Sequence, residues 1–221
     1  VKRNELNRGF VKVICFYPEI SFEIIPPDRQ LSVSVFALDP EADLGAAGDP
    51  FTEGTTAYVS KWCKLDPRTV PIEAKAAANY LNGMVARLEA QKKGFKHAIM
   101  LDTQGFIAEG GTESVFLVKD QCLLTPSTGM VLKSITRMSI LEVALKAGIE
   151  CMEKQVKPEL LAEAQEIFLS STPFKVLPVK QINDRKLPDA PGPVTRKMAE
   201  LLNAIVAGND DRFASWLYAV E

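Results

Sequence analysis

The stretch HAIMLDTQGFIAEGGTESVFLVKDQCLLTP, residues 97–126, contains four short runs of apolar and β-branched residues. These runs are HAIMLD, FIAE, SVFLV and CLLT, and the segments TQG, GGT and KDQ between them are typical of turns. The pattern predicts a meander of antiparallel strands in this part of the chain.

Further strands and helices are predicted on both sides of this stretch, in no regular alternation. Strand patterns occur at FVKVICF (10–16), LSVSVFAL (31–38), TAYVSKW (56–62), 149–156, EIFLSS (166–171) and KVLPVKQI (175–182). Helix patterns cover 75–93, 136–146, 158–164 and 193–207, with Gly94 and Gly148 as stop signals for the first two. Because no strict strand–helix–strand repeat is present, the sequence predicts an α+β fold rather than a doubly wound sheet.

One segment interrupts these patterns. Residues 39–50, DPEADLGAAGDP, are rich in Gly, Pro, Asp and Ala and have no apolar period. Such a composition is typical of a loop, and we interpret the segment as an interdomain linker between 1–38 and 51–221. Pro26 and Pro27 lie between the two strands of the first part.

The composition excludes several classes of protein. The 221 residues are 47% hydrophobic and 24% charged, with a net charge of -2, as in an ordinary soluble globular protein. The absence of a dense Lys/Arg tract argues against nucleic-acid binding. No apolar run of about 20 residues is present, which argues against a membrane span.

Cysteine and histidine usage limits the redox and metal chemistry. Four cysteines stand without a CxxC pair, and we interpret them as reduced core residues of a cytoplasmic protein: Cys15, Cys63, Cys122 and Cys151. His97 is the single histidine of the sequence, so few candidate metal ligands exist and we expect no metal site. We interpret His97 as a polar residue at the entrance of a strand.

Two residues are candidates for chemistry. Lys75 lies among alanines in PIEAKAAANY, where a ligand could approach closely, and a desolvated lysine is a nucleophile toward carbonyl groups. An exposed lysine in a first helical turn is the alternative. Glu109 ends a strand-like run in FIAEGG, and a buried carboxylate there would need a partner. A turn glutamate that faces water is the alternative.

Several segments, in order, resemble the class IV aminotransferases, which are pyridoxal-phosphate (PLP) enzymes of fold type IV. The segments are PIEAKAAANYL, DTQGFIAEGGTESVFLVKDQCLLTP, LKSITRMSILEVA, EIFLSSTPFKVLPV and PGPVTRKMAELL. The resemblance extends over nearly the whole chain from about Phe10. It implies a two-domain architecture whose small N-terminal domain is truncated, with 1–38 as its remnant and 51–221 as the large PLP-binding domain.

The resemblance also implies roles for individual residues. Lys75 would bind the cofactor covalently and move the substrate proton, and Glu109 would keep the pyridine nitrogen protonated. Tyr80 would hydrogen-bond the phenolic oxygen of the cofactor, or be a core aromatic. The phosphate group would be bound at two sites, the helix start at Ile135 and Thr136 and the turn at Ser171 and Thr172. A plain junction between strand and loop is the alternative for that turn.

Several features depart from the family pattern. Lys12 replaces an arginine usual in branched-chain members, Pro173 offers no backbone N–H to a substrate carboxylate, and Ser134 replaces a glycine. Lys12, Thr172 and Pro173 are the predicted substrate contacts. The start of the small domain is missing, so we expect either a fragment of a longer protein or a natural truncation.

The resemblance favours transamination between an amino acid and a 2-oxo acid, with a branched-chain L-amino acid as the substrate. The alternatives are a D-amino acid aminotransferase, a 4-amino-4-deoxychorismate lyase and, in another class, a non-catalytic module with the PLP fold. The family also implies a homodimer, because the neighbouring subunit completes the pocket.

Overall fold

The computed structural model describes Leu6 and residues 9–25, 28–43 and 49–219. The chain divides into two compact units, Val1–Gly48 with Tyr218–Glu221, and Asp49–Leu217. Pro26, Pro27 and residues 44–48 of the predicted linker lie outside the described residues. The assignment of 39–50 as a linker stays a prediction.

The first unit contains an antiparallel pair of strands, β1 (Phe10–Phe16) and β2 (Ser32–Leu38). Phe10 pairs with Leu38 and Phe16 with Ser32. β1 was predicted from its β-branched and aromatic residues and β2 from its alternation of apolar and small polar residues, and the structure confirms both. Apolar side chains such as Val13 and Val35 are 58% and 64% exposed on this unit.

The second unit is built from strands and helices in mixed order. Its strands are β3 (Thr55–Val59), β4 (His97–Leu101), β5 (Ile107–Gly110), β6 (Ser114–Lys119), β7 (Cys122–Pro126), β8 (Cys151–Lys154), β9 (Glu166–Ser170), β10 (Leu177–Ile182) and β11 (Arg185–Lys186). Its α-helices are α1 (Pro50–Glu53), α2 (Tyr80–Lys92), α3 (Ile135–Lys146), α4 (Leu160–Glu163) and α5 (Pro193–Val206), and 3₁₀ helices cover Ala77–Asn79 and Asp211–Trp216. The α+β class is confirmed.

The strands of this unit form a mixed sheet in the order β5-β4-β3-β10-β9-β6-β7-β8, with β11 beside β10. Three neighbouring pairs are parallel: β3 with β4, β3 with β10, and β7 with β8. The two edges of the sheet meet, because Ile107 of β5 forms a β-bridge with Val156, which lies two residues beyond β8. The sheet therefore curls until its edges are in contact.

The four strands predicted in 97–126 are confirmed, but their arrangement as one continuous meander is wrong. β4 with β5 and β6 with β7 are antiparallel pairs, but β5 and β6 are not neighbours in the sheet. One hydrogen bond spans the turn at 110–113, from the N–H of Gly110 to the carbonyl of Glu113, but strand pairing does not continue beyond it. β6 pairs with β9 and β7 instead.

Both faces of the central strands are buried, because successive side chains of a strand point to opposite sides. On β6, Val115 and Leu117 belong to one apolar cluster within the sheet, whereas Phe116 and Val118 pack with α3 and α5. A third cluster joins α2 to β4. No helix in the described ranges is long and apolar enough to cross a membrane.

Some helix bounds and the cysteine prediction need correction. The helix predicted from Lys75 begins only at Tyr80, because residues 71–79 form turns and a 3₁₀ segment. Gly94, with a φ of 85°, follows the helix end, as predicted. All four cysteines are free, but Cys15 and Cys63 are exposed, and only Cys122 is buried. Their apolar sequence neighbours did not establish burial.

Candidate active site

A cleft opens in the second unit, where several strands end. The lining residues are Lys64, Ile72, Ala74, Lys75, Asn79, Tyr80, Glu109, Gly111, Thr112, Glu113, Ser114, Leu132, Ser134, Ser170, Ser171 and Thr172. Five predicted site residues are brought together here: Lys75, Tyr80, Glu109, Ser171 and Thr172. They come from three distant parts of the chain.

Four predicted residues do not line this cleft. Ile135 and Thr136 begin α3 directly after Ser134, which does line the cleft, but neither is part of the lining. Pro173 follows the lining residue Thr172. Lys12 lies on β1 in the other unit, where its side chain is exposed. The roles predicted for these residues stay predictions.

Lys75 lies in the segment before the 3₁₀ helix Ala77–Asn79 and is exposed. Its ammonium is 5.5 Å from the centre of the Tyr80 ring, within the range of a cation–π interaction. Its segment is fixed by Asn79, whose amide donates to the carbonyls of Pro71 and Ala74, both at 3.3 Å. Sequence reasoning missed this role of Asn79, although the residue stands in the quoted motif.

Glu109 lies on β5 and is 8% exposed, so the alternative of a turn glutamate facing water is wrong. Its Oε1 forms an ion pair with Lys64, and its Oε2 accepts a hydrogen bond from the backbone N–H of Leu132 at 3.3 Å. Burial raises the pKa of the Glu109 carboxyl, and the attraction of Lys64 offsets part of that shift. Lys64 is a site residue that the sequence reading missed.

A second buried carboxylate, Glu113, shapes the turn after Glu109. Its Oε1 is 3.1 Å from Nδ1 of His97 and 3.6 Å from the guanidinium of Arg87, and its Oε2 accepts from the N–H of Thr112 at 3.0 Å. Burial alone would raise the pKa of Glu113. The hydrogen bond and the attraction of His97, together with hydrogen bonds from Thr112, outweigh burial and hold the pKa of Glu113 below its usual range. His97 stands at the strand entrance, as predicted, but is only 4% exposed.

The start of α3 offers hydrogen-bond donors to an anion. Ser134 is its N-cap, and its hydroxyl accepts from the N–H of Arg137. The other first-turn N–H groups of an α-helix have no partner within the helix and favour negative charge. Arg137 anchors this helix start, because its buried guanidinium donates to the carbonyl of Pro126 at 2.6 Å and to Glu153 at 2.5 Å.

The turn after β9 adds hydroxyl groups to the same cleft. Ser170, the last residue of β9, is 1% exposed, and its Oγ has no hydrogen-bond partner within the described part of the chain. The turn is closed by the N–H of Lys175, which donates to the carbonyl of Ser171 at 2.7 Å. A buried hydroxyl without a partner is costly, so this side of the cleft fits a polar ligand.

The cleft thus combines an accessible amine, a buried carboxylate and a hydroxyl-rich turn beside a helix start. The sequence model of the family Amino-transferase class IV matches residues 1–182. The chain belongs to the class IV aminotransferases.

Two bacterial relatives place the chain further within that family. The branched-chain-amino-acid aminotransferase of Escherichia coli is 32% identical over 220 residues, which are 98% of this chain and 71% of that protein. A probable branched-chain-amino-acid aminotransferase of Aquifex aeolicus is 34% identical over 212 residues, 95% of this chain and 62% of that protein.

Solved structures have the same fold. The branched-chain aminotransferase of Thermoproteus uzoniensis with norvaline has a TM-score of 0.85 and 30% identity, covering 94% of this chain and 68% of that one. The branched-chain amino acid aminotransferase of Thermobaculum terrenum in its PLP form has a TM-score of 0.83 and 29% identity, covering 93% and 66%. The family and the fold implied by the sequence motifs are confirmed.

Proposed function

We propose that this chain carries the cofactor site of a pyridoxal-phosphate-dependent aminotransferase that acts on branched-chain L-amino acids and a 2-oxo acid. One observation carries the proposal: a single cleft joins Lys75, Tyr80 and Glu109 to the Ser171–Thr172 turn. The names of the relatives in Escherichia coli and Aquifex aeolicus support the branched-chain substrate.

The residues of the cleft fit pyridoxal phosphate. The amine of Lys75 is accessible and can bond to an aldehyde carbon, whereas the buried Glu109 can accept a hydrogen bond from a protonated ring nitrogen. The unpartnered Ser170 hydroxyl, with Ser171, Thr172 and the start of α3, offers donors to a phosphate. Ile135 and Thr136 would contribute through the N–H groups of that helix start.

Bound pyridoxal phosphate supplies an electron-accepting ring that stabilises negative charge at the substrate carbon bearing the amine. Lys75 would hold the cofactor and then, as a free amine, move the proton to and from that carbon. Glu109 would keep the proton on the ring nitrogen, and Tyr80 would donate a hydrogen bond to the phenolic oxygen. Lys12, Thr172 and Pro173 would contact the substrate.

We also infer a homodimer located in the cytoplasm. Leu81, Met84 and Leu88 lie on one face of α2 and are 61%, 54% and 48% exposed, and an apolar face of this kind is typical of a subunit interface. Four free thiols agree with a reducing compartment. Sedimentation at micromolar concentration should give a dimer, and fractionation of the source cells should recover the protein with cytoplasmic markers. A monomer or a membrane-associated protein would contradict these inferences.

An amino-donor panel tests the proposed reaction. With 2-oxoglutarate as acceptor, we expect leucine, isoleucine and valine to be consumed and glutamate to form. Consumption of D-amino acids alone would indicate a D-amino acid aminotransferase. Release of p-aminobenzoate from aminodeoxychorismate would indicate the lyase. A protein that stays colourless with added pyridoxal phosphate would be a non-catalytic module.

A further inference from the structure

The cleft contains a second lysine, Lys64, which differs from Lys75 in its burial and in its partner. Lys64 follows β3, and its backbone N–H donates to the carbonyl of Leu101 at 2.7 Å, which fixes the loop beside β4. The Lys64 side chain is 10% exposed and forms an ion pair with Glu109, whose side chain is also 10% exposed. Lysine is almost never buried to this extent without a partner, and Lys75 is exposed.

The ion pair leaves Glu109 able to bind a further group. Its Oε1 contacts Lys64, and its Oε2 accepts the N–H of Leu132. An ionised carboxylate has about four lone-pair sites, so a ring nitrogen can still donate to it. Lys64 is therefore a partner that can stay bound to Glu109 when the cofactor is present.

We infer that Lys64 is a positioning residue that keeps the Glu109 carboxylate ionised and oriented. The proton between Glu109 and the ring nitrogen of the cofactor is thereby held on the nitrogen. The inference rests on the proposed function. A proton on Glu109 would leave a neutral acid, and the buried ammonium of Lys64 would lose its partner. A proton on the ring nitrogen preserves the contact between ammonium and carboxylate, which is strong where water is excluded.

The competing explanation is that the ion pair only stabilises the fold. Both explanations predict some loss of stability when Lys64 is replaced, so stability does not separate them. They differ in the protonation of Glu109 and of the ring nitrogen. Only the positioning role predicts that both protonation states change when the charge of residue 64 is removed. It also predicts that both return when the charge is restored.

The first experiment titrates Glu109 in the cofactor-free protein, by NMR of ¹³C-labelled glutamate carboxyl groups. In Lys64→Met we expect the titration midpoint of Glu109 to rise by about one unit or more, because an opposite charge in contact is removed. Lys64→Arg should restore it, and Lys61→Met, which removes an exposed lysine three residues away, should leave it unchanged. Should the Met variant fail to fold, Lys64→Gln retains a hydrogen-bond donor without the charge.

The second experiment uses protein reconstituted with ¹⁵N-labelled pyridoxal phosphate. The ring-nitrogen signal should report a smaller protonated fraction in Lys64→Met and Lys64→Gln, and recovery in Lys64→Arg. An unchanged Glu109 titration, an unchanged ring-nitrogen signal or no recovery in the Arg variant would overturn the inference. If wild-type protein binds no pyridoxal phosphate, the proposed function fails, while the titration still decides whether Lys64 controls the ionisation of Glu109.

Discussion

Gly83 of α2 and Gly111 of the turn after β5 pack backbone against backbone, so closely that a Cβ at Gly83 would overlap the carbonyl oxygen of Gly111. Gly111 lines the cleft, and Gly83 lies within the 13-residue helix α2. α2 can therefore lie this close to the turn only because Gly83 has no side chain.

Gly83→Ala tests that spacing. In an exposed helix the change would stabilise the protein by about 1 kcal/mol. Here the methyl group must push α2 away from the turn, and we expect a loss of roughly 1–3 kcal/mol together with weaker binding of pyridoxal phosphate. Urea unfolding and a cofactor titration measure the two effects. Lys92→Ala, at an exposed position of the same helix, is the control, and a Gly83→Ala variant at least as stable as wild type would refute the contact.

Glu113 gives the fold a dependence on pH whose sign follows from its lowered pKa. The pKa of this carboxyl is lower in the folded state than in the unfolded state, where it is about 4.3. Such a carboxyl stabilises the fold at every pH above the pKa of the unfolded state. That contribution is lost as the pH falls through the folded pKa. At pH 7, Glu113→Gln should therefore lower the free energy of unfolding by roughly 1–3 kcal/mol, because a buried charged partner of His97 is removed.

In urea unfolding experiments, the difference between wild type and Glu113→Gln should stay nearly constant from pH 7 to about 5 and then shrink as the pH falls below about 4.3. Glu142→Gln serves as the control, since Glu142 pairs with Lys146 at an exposed position of α3 and its removal should change little at any pH. A Glu113 difference that stays constant below about pH 4.3 as well would mean that the carboxylate does not carry the stabilisation.

Glu109→Gln separates the two main residues of the proposed mechanism. Lys75 is untouched, so the variant should still bind pyridoxal phosphate covalently and absorb visible light. A neutral amide does not hold the ring nitrogen protonated, and transamination should fall by more than about a hundredfold. Absorbance spectra and steady-state rates measure both properties. If Glu109→Gln keeps most of its activity while Lys75→Ala has none, the cofactor assignment stands but the role given to Glu109 is wrong.

The sequence predicted residues that carry reactive groups better than residues that hold them in place. Lys75, Glu109 and Ser171 stand in recognisable segments, and the structure brings them to one cleft. Lys64 and Ser170 were missed, because the partner of Lys64 is distant in the sequence and an unpartnered hydroxyl leaves no pattern in it.

The error in the sheet has a similar origin. Alternating apolar runs predict strands correctly, but they do not determine which strands become neighbours. The segment GGT predicts a turn between β5 and β6, but strand pairing does not continue beyond that turn. Its geometry is instead fixed by the buried Glu113, whose partners His97 and Arg87 lie in other elements. Local turn chemistry could not reveal that long-range contact.

Mapping the covalent attachment of the cofactor tests the central claim most directly. Full-length protein would be incubated with pyridoxal phosphate, reduced with borohydride and digested, and the modified peptide identified by mass spectrometry. We predict one phosphopyridoxyl group per chain, on Lys75, which is absent in Lys75→Ala and retained in Lys64→Met. Modification of Lys64 instead of Lys75, scattered modification of surface lysines or no stable modification would contradict the account.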